Sequence, residues 1–103
     1  MILTKAFDEN KGLWNVSLGG EIDASYADDM KEALLMLIKE KAADIILDCV
    51  KLDYLDSSGL GALVSILKRV REQGHSVTIT NLKPHISKIF TITKLDTVFN
   101  IEV

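Results

Sequence analysis

The apolar segment Ala43–Val50 is the feature that most limits how this chain can fold. It is interrupted mainly by Asp48 and is rich in branched aliphatic residues, so it is too apolar for a surface. Such a segment is typical of a strand with both faces covered, as in parallel sheets with helices packed on them. An apolar stripe at helical spacing follows it and predicts a helix from about Ser58 to Gln73. The sequence therefore favours an α/β fold.

Strand and helix patterns alternate along the rest of the chain. Period-two alternation predicts strands at 2–7 and 13–18, joined by turn residues as an antiparallel hairpin. Gly19-Gly20 is expected to end the second strand with a sharp turn. Ser25 is a candidate N-cap of a first helix that ends near 39–41, and residues 51–55 should carry the chain out of the third strand. The remaining predicted elements are a strand at 77–80, a helix from Pro84 and a strand at 98–103.

The predicted order is β-β-α-β-α-β-α-β, and it describes a single α/β domain over residues 1–103. Strands that alternate with helices imply parallel neighbours joined by right-handed crossovers. We therefore expect a mixed, mostly parallel sheet with an N-terminal antiparallel hairpin and helices packed on it.

Composition excludes several classes of function. The net charge of −3 and the absence of a basic stripe argue against a nucleic-acid partner. No apolar run approaches the roughly 20 residues of a membrane span, so no membrane partner is expected. Cys49 is the single cysteine, which rules out an intrachain disulfide, and His75 and His85 lack the partners of a metal site. We expect a cytoplasmic protein without a metal or a cofactor.

The loop Leu55–Gly61 holds the chain's most unusual chemistry, because Asp56 precedes two adjacent hydroxyls at a helix entrance. Any of Asp56, Ser57 and Ser58 could be an ordinary N-cap. Catalysis by Ser57 would need a base and the glycine that precedes the serine of a nucleophile elbow, and neither is evident. No catalytic residue is therefore assigned.

Phosphate binding by the same loop is also disfavoured. The lysine of a nucleoside-triphosphate loop is absent, and Asp53 and Asp56 would repel an anion. Capping leaves Gly59 and Gly61 unexplained, since each glycine costs a helix about 1 kcal/mol relative to alanine. A low surface beside the serines suits the close approach of another protein.

Three segments, Gly20–Asp23, Tyr54–Gly61 and Ile89–Leu95, resemble the bacterial anti-sigma-factor antagonists, which are single STAS domains. The resemblance covers almost the whole chain. It implies a binding module, not an enzyme, that is phosphorylated on Ser57 by an anti-sigma factor that is itself a serine/threonine kinase. It also implies a metal-dependent serine phosphatase as the second partner. The expected partner-binding residues are Asp23, Asp56, Ser57, Ser58, Gly59 and Gly61.

The resemblance implies a switch in which the unmodified protein binds the kinase and frees a sigma factor. A phosphoserine adds about −1.5 to −2 charges. The helix N-terminus is expected to make this charge tolerable to the fold, whereas burial against a partner beside Asp23, Asp53 and Asp56 should be costly. A STAS subunit of a transporter or a larger signalling assembly, without kinase regulation, is the alternative.

Overall fold

The computed structural model describes residues 1–102 and shows a six-stranded sheet with three α-helices. The elements in chain order are β1 (Ile2–Asp8), β2 (Leu13–Ile22), α1 (Ala27–Glu40), β3 (Asp44–Asp48), β4 (Leu52–Leu55), α2 (Ser57–Glu72), β5 (Val77–Thr80), α3 (Pro84–Ile92) and β6 (Asn100–Glu102). A short 3-10 helix at Leu95–Thr97 joins α3 to β6. Val103, the last residue of the predicted final strand, lies outside the described residues.

The sheet is mixed, as the element order predicts. Its strands lie in the order β1-β2-β3-β5-β6, and β4 pairs separately with the end of β2. β1 and β2 are antiparallel, whereas the pairs of β2 with β3, β2 with β4, β3 with β5 and β5 with β6 are parallel. The predicted α/β class with an N-terminal hairpin is confirmed.

One hydrophobic core lies between the sheet and the helices. Strand residues such as Leu18, Leu47 and Ile79 and helix residues such as Met30 and Leu63 are almost fully buried. Near the end of the chain, Phe90 of α3 packs edge-on against Phe99, with ring centroids 5.7 Å apart. Burial at this scale is the main force that holds the layers together.

The second face of β3 is not covered, so the expectation of two covered faces is wrong. Ile45 and Leu47 are buried, but Ile46 and Asp48 are half-buried. These two side chains line an open depression of about 400 Å³ on the sheet. The strand is apolar because its inner face contacts the core; the outer face is shielded only by neighbouring strands.

Gly19-Gly20 does not end β2, which continues to Ile22. Gly20 adopts a φ of +80°, and the pairing of β2 with β4 shifts register between Gly20 and Glu21. A Cβ on Gly19 would lie 3.0 Å from the Cβ of Lys51, so glycine allows the two chains to approach closely. The glycines form a bulge that redirects the strand, and not a turn.

Two local predictions at the ends of elements are also wrong. Residues 52–55 form the short strand β4, although they were expected only to carry the chain out of β3. Tyr26, and not Ser25, is the N-cap of α1, and it makes no side-chain capping bond. In contrast, β5 and the start of α3 at Pro84 agree with the sequence patterns. No helix among residues 1–102 is long and apolar enough to span a membrane.

Candidate functional site

Two acidic residues directly follow the ends of neighbouring strands at the same edge of the sheet. Ile22 and Leu55, the last residues of β2 and β4, are register partners, and Asp23 and Asp56 follow them directly. The Asp56 N–H donates to the carbonyl of Ile22 at 3.3 Å, which ties the two chains together at this point. Adjacent strands lie about 4.8 Å apart, so the two acids are close neighbours. The sequence separates them by 33 positions, and the sheet brings them together.

Asp56 is the residue that caps α2. Its Oδ1 accepts hydrogen bonds from the backbone N–H groups of Ser58 at 3.0 Å and Gly59 at 3.1 Å. Its carbonyl accepts the Leu60 N–H at 2.9 Å, which begins the helical pattern. Asp56, Ser57 and Ser58 could each have capped this helix, and Asp56 does so with two hydrogen bonds.

Ser57 and Ser58 are therefore free of the capping role. They occupy the first two positions of α2, and both are exposed. Within residues 1–102, neither hydroxyl makes a hydrogen bond. A free, exposed hydroxyl at the first turn of a helix is accessible to an enzyme that modifies it.

Asp23 organises the loop that leads to α1. Its Oδ1 accepts the Ser25 N–H at 2.9 Å, and its carbonyl accepts the N–H groups of Tyr26 and Ala27. This turn explains why Ser25 is not the N-cap: its backbone belongs to the Asp23 turn, two residues before α1 begins at Ala27. The Asp23 side chain is held in place and half-buried beside the start of α2.

Gly59 and Gly61 have different roles. Gly59 is buried, and a Cβ there would lie 2.6 Å from Leu55 Cδ1 and 2.8 Å from the Ile22 carbonyl oxygen. Packing beneath the loop is therefore a sufficient reason for glycine at this position. The expected contact of Gly59 with a partner stays a prediction. Gly61 is exposed, with no atom within 4 Å of an added Cβ, so it does leave the surface low.

Contacts from α3 brace the strand that leads to the serines. Lys83 forms an ion pair with the Asp53 carboxylate, and the His85 Nε2–H donates to the Asp53 carbonyl at 2.8 Å. His85 is exposed, yet its ring is hydrogen-bonded. Its partner lies 32 positions away, and no local pattern indicates that contact.

Two exposed tyrosines lie close in sequence to the acids, and no sequence motif indicates a role for them. Tyr26 precedes α1 and is 41% exposed, and Tyr54 in β4 is 47% exposed. Large exposed aromatic side chains are enriched at protein interfaces, which is the signal that could have identified them. Tyr54 lies three positions before Ser57 and Tyr26 three positions after Asp23, and both rings are accessible to a partner.

Among residues 1–102, the hydrogen bonds of His75, His85 and Cys49 do not involve Ser57 or Ser58. Among residues 1–102, no three His, Cys, Asp or Glu side chains are grouped so as to hold a metal ion. His75 pairs with Asp44 at 3.2 Å, far along the chain from the serines. Burial, with a smaller contribution from Asp48, raises the pKa of the Cys49 thiol to about 12, so this thiol is not a nucleophile at neutral pH.

Comparisons with known proteins agree on the type of domain. The STAS domain family model matches residues 5–103. The anti-sigma-B factor antagonist of Bacillus subtilis is 34% identical over 93 residues, which cover 90% of this chain and 84% of that protein. A crystal structure of a candidate anti-sigma factor antagonist from Thermotoga maritima superposes with a TM-score of 0.88 at 18% identity, covering 96% of this chain and 84% of that one. The phosphorylated form of the Bacillus cell fate determinant SpoIIAA gives a TM-score of 0.74 at 17% identity, covering 99% and 92%.

Proposed function

Because the chain belongs to the STAS-domain family of anti-sigma-factor antagonists, we propose that Ser57 is a phosphorylation switch on a binding module. The unmodified protein binds an anti-sigma factor that is a serine/threonine kinase, and so releases a sigma factor. Phosphorylation of Ser57 by that kinase ends binding, and a metal-dependent serine phosphatase restores it. The protein acts in the cytoplasm and has no catalytic activity of its own.

The observation that carries this proposal is the division of roles between Asp56 and Ser57. Asp56 satisfies the helix N-terminus with two hydrogen bonds, and the Ser57 hydroxyl stays exposed. A serine that capped the helix would lose its capping bond on modification, at a cost of about 1 kcal/mol. Ser57 can receive a phosphate without that loss.

The phosphate would act on the complex through charge. A phosphoserine brings about −1.5 to −2 charges next to the Asp56 carboxylate and near Asp23. Asp56 already occupies the N–H groups of Ser58 and Gly59, so the helix end offers the phosphate less stabilisation than its dipole alone would suggest. In the free protein, water solvates the exposed charges and screens their repulsion.

Covering this edge with a partner removes the water. The partner must then desolvate a dianion and two carboxylates, or leave the edge uncovered. A penalty of about 4 kcal/mol would weaken binding about a thousandfold. The exposed aromatic rings of Tyr26 and Tyr54 are suited to the same contact, because they offer apolar area on the segments next to Asp23 and Ser57 in the chain.

The fold itself should change little on phosphorylation. Ser57 is exposed, and the contacts beneath it run through Gly59 and the strand ends, which the phosphate does not touch. SpoIIAA has the same fold in its phosphorylated form, which is consistent with this expectation. The switch therefore needs no large conformational change.

Phosphorylation is tested by incubating the protein with an anti-sigma-factor kinase from the same genome and ATP, followed by mass spectrometry of peptides. One phosphate is expected on Ser57. Ser57→Ala should abolish labelling, and the adjacent Ser58→Ala is the matched control that should retain it. Labelling that persists in Ser57→Ala would refute the assignment.

Binding is tested with Ser57→Asp, which mimics part of the added charge. This variant should bind the kinase much more weakly than the unmodified protein, while its Tm stays within a few degrees. Treatment of the phosphorylated protein with a metal-dependent serine phosphatase should restore binding. Binding that is equally tight before and after phosphorylation would indicate an assembly without kinase regulation.

A further inference from the structure

A groove lies between α1 and α2, and at helical spacing two of its lining residues, Ser65 and Lys68, share a face of α2 with Ser57. It has a volume of about 390 Å³ and is lined by Lys31 and Leu35 of α1 and by Ser65, Lys68, Arg69 and Glu72 of α2. Leu35 is half-buried, which gives the groove an apolar floor that remains accessible. The proposed switch uses none of these residues.

The groove is positively charged. Its three cations and one carboxylate sum to +2. In the part of the chain that the structure describes, Lys31, Lys68 and Arg69 form no salt bridge. Unpaired cations around an apolar side chain fit a segment that presents carboxylates beside an apolar residue.

The opposite sign dominates near Ser57. Asp23 and Asp56 lie at the strand ends, and Asp28 and Asp29 lie in the first turn of α1. One side of the molecule is thus acidic at the start of its helices and basic further along them. A partner that covers both regions needs the reverse arrangement of charges, which fixes its orientation.

One partner can reach both regions. A standard protein interface covers about 800 Å² on each partner, equivalent to a disc of about 16 Å radius. Ser57 and Lys68 are separated by eleven residues of α2, or about 16 Å at 1.5 Å per residue. An interface of ordinary size centred on Ser57 therefore extends to the groove.

We propose that the groove between α1 and α2 binds a carboxylate-bearing segment of the kinase that modifies Ser57, with an apolar side chain of that segment against Leu35. This inference rests on the proposed function. The groove lies beyond the Debye length of about 8 Å from Ser57, so phosphorylation should leave its attraction largely intact. The groove steers and orients the kinase, and the serine loop decides whether the complex persists.

The test measures association of the unmodified protein with an anti-sigma-factor kinase at several salt concentrations. Lys68→Glu combined with Arg69→Glu should slow association about tenfold at low salt and flatten its salt dependence. The control combines Lys11→Glu with Lys88→Glu, which makes the same change in net charge at exposed positions outside the groove. The control should associate nearly as fast as the unmodified protein.

Arg69 lies in the last turn of α2, so its replacement by glutamate also affects the stability of that helix end. A second variant, outside this turn, controls for that effect. Lys31→Glu reverses a cation on the opposite wall and should also slow association, with the Tm unchanged. The inference is overturned if both groove variants associate like the control, or if the control slows equally. If the unmodified protein does not bind the kinase at all, the proposed function fails, which is a separate and recognisable result.

Discussion

Replacing Gly59 with alanine should destabilise the protein, although alanine favours helices. Gly59 lies in the first turn of α2, directly above the ends of β2 and β4. An added Cβ would lie 2.6 Å from Leu55 Cδ1, 2.8 Å from the Ile22 carbonyl oxygen and 2.9 Å from Ile22 Cγ2. The Leu55 methyl group can rotate away, but the carbonyl oxygen cannot. The helix must move outward or the end of β2 must bend.

The expected change in the free energy of unfolding is the sum of an overpacking cost and a gain in helix propensity. Overpacking costs about 1–3 kcal/mol, and a contact with rigid backbone places this case in the upper half of that range. Alanine returns about 1 kcal/mol through its helix propensity. The net loss in the free energy of unfolding is about 1–2 kcal/mol, which lowers the Tm of a domain of this size by about 4–16 °C.

Gly61→Ala is the matched control, two residues further along the same helix. No atom lies within 4 Å of a Cβ at this position, so only the propensity term applies. We expect a gain of about 0.5–1 kcal/mol and a higher Tm. Thermal and urea unfolding of both variants measure the difference. If Gly59→Ala were as stable as Gly61→Ala, the close packing of α2 on the strand ends would be refuted.

Three further predictions concern the cap, the strand bulge and the thiol. Asp56→Ala should lower the free energy of unfolding in urea by about 1 kcal/mol, because Asp56 caps α2. Ser57→Ala should lower it by less than about 0.5 kcal/mol, because Ser57 does not cap the helix. Equal losses in the two variants would contradict this division of roles. Gly20→Ala should cost about 1–2 kcal/mol, because the φ of +80° is unfavourable for alanine, and an unchanged urea midpoint would argue against the bulge. The Cys49 thiol, with its pKa raised to about 12, should resist alkylation at pH 8 until the protein is unfolded. The folded state holds the Cys49 proton more tightly than the unfolded state. The free energy of unfolding should therefore fall by up to about 1.4 kcal/mol for each unit of rising pH between pH 9 and 12. A Cys49→Ala variant with the same pH dependence would refute this.

The sequence predicts the fold class because each main element has a strong local pattern. The strand at Val77–Thr80 and the helix that starts at Pro84 agree with the structure to the residue. β4 is not predictable in this way, because Leu52 and Leu55 are its buried members and two exposed residues lie between them. Pairing with β2 stabilises this segment as a strand, although its own sequence pattern does not predict one.

The sequence predicts a helix N-terminus at the serine loop, but it does not predict which residue caps the helix. The run Asp56-Ser57-Ser58 indicates a helix N-terminus, yet three residues could have formed the cap. The three-dimensional structure shows that Asp56 makes both bonds. Gly59 illustrates the same limit, because its burial depends on Ile22, which is distant in sequence.

The separation of the cap from the switch also has a consequence for how long the protein lasts in a cell. Proteases and chaperones act on the small fraction of molecules that is unfolded, and that fraction follows the free energy of unfolding. Asp56 holds the helix entrance whether or not Ser57 is modified, so the unfolded fraction should be nearly the same in both states. In the proposed switch, the two forms should therefore be degraded at nearly the same rate.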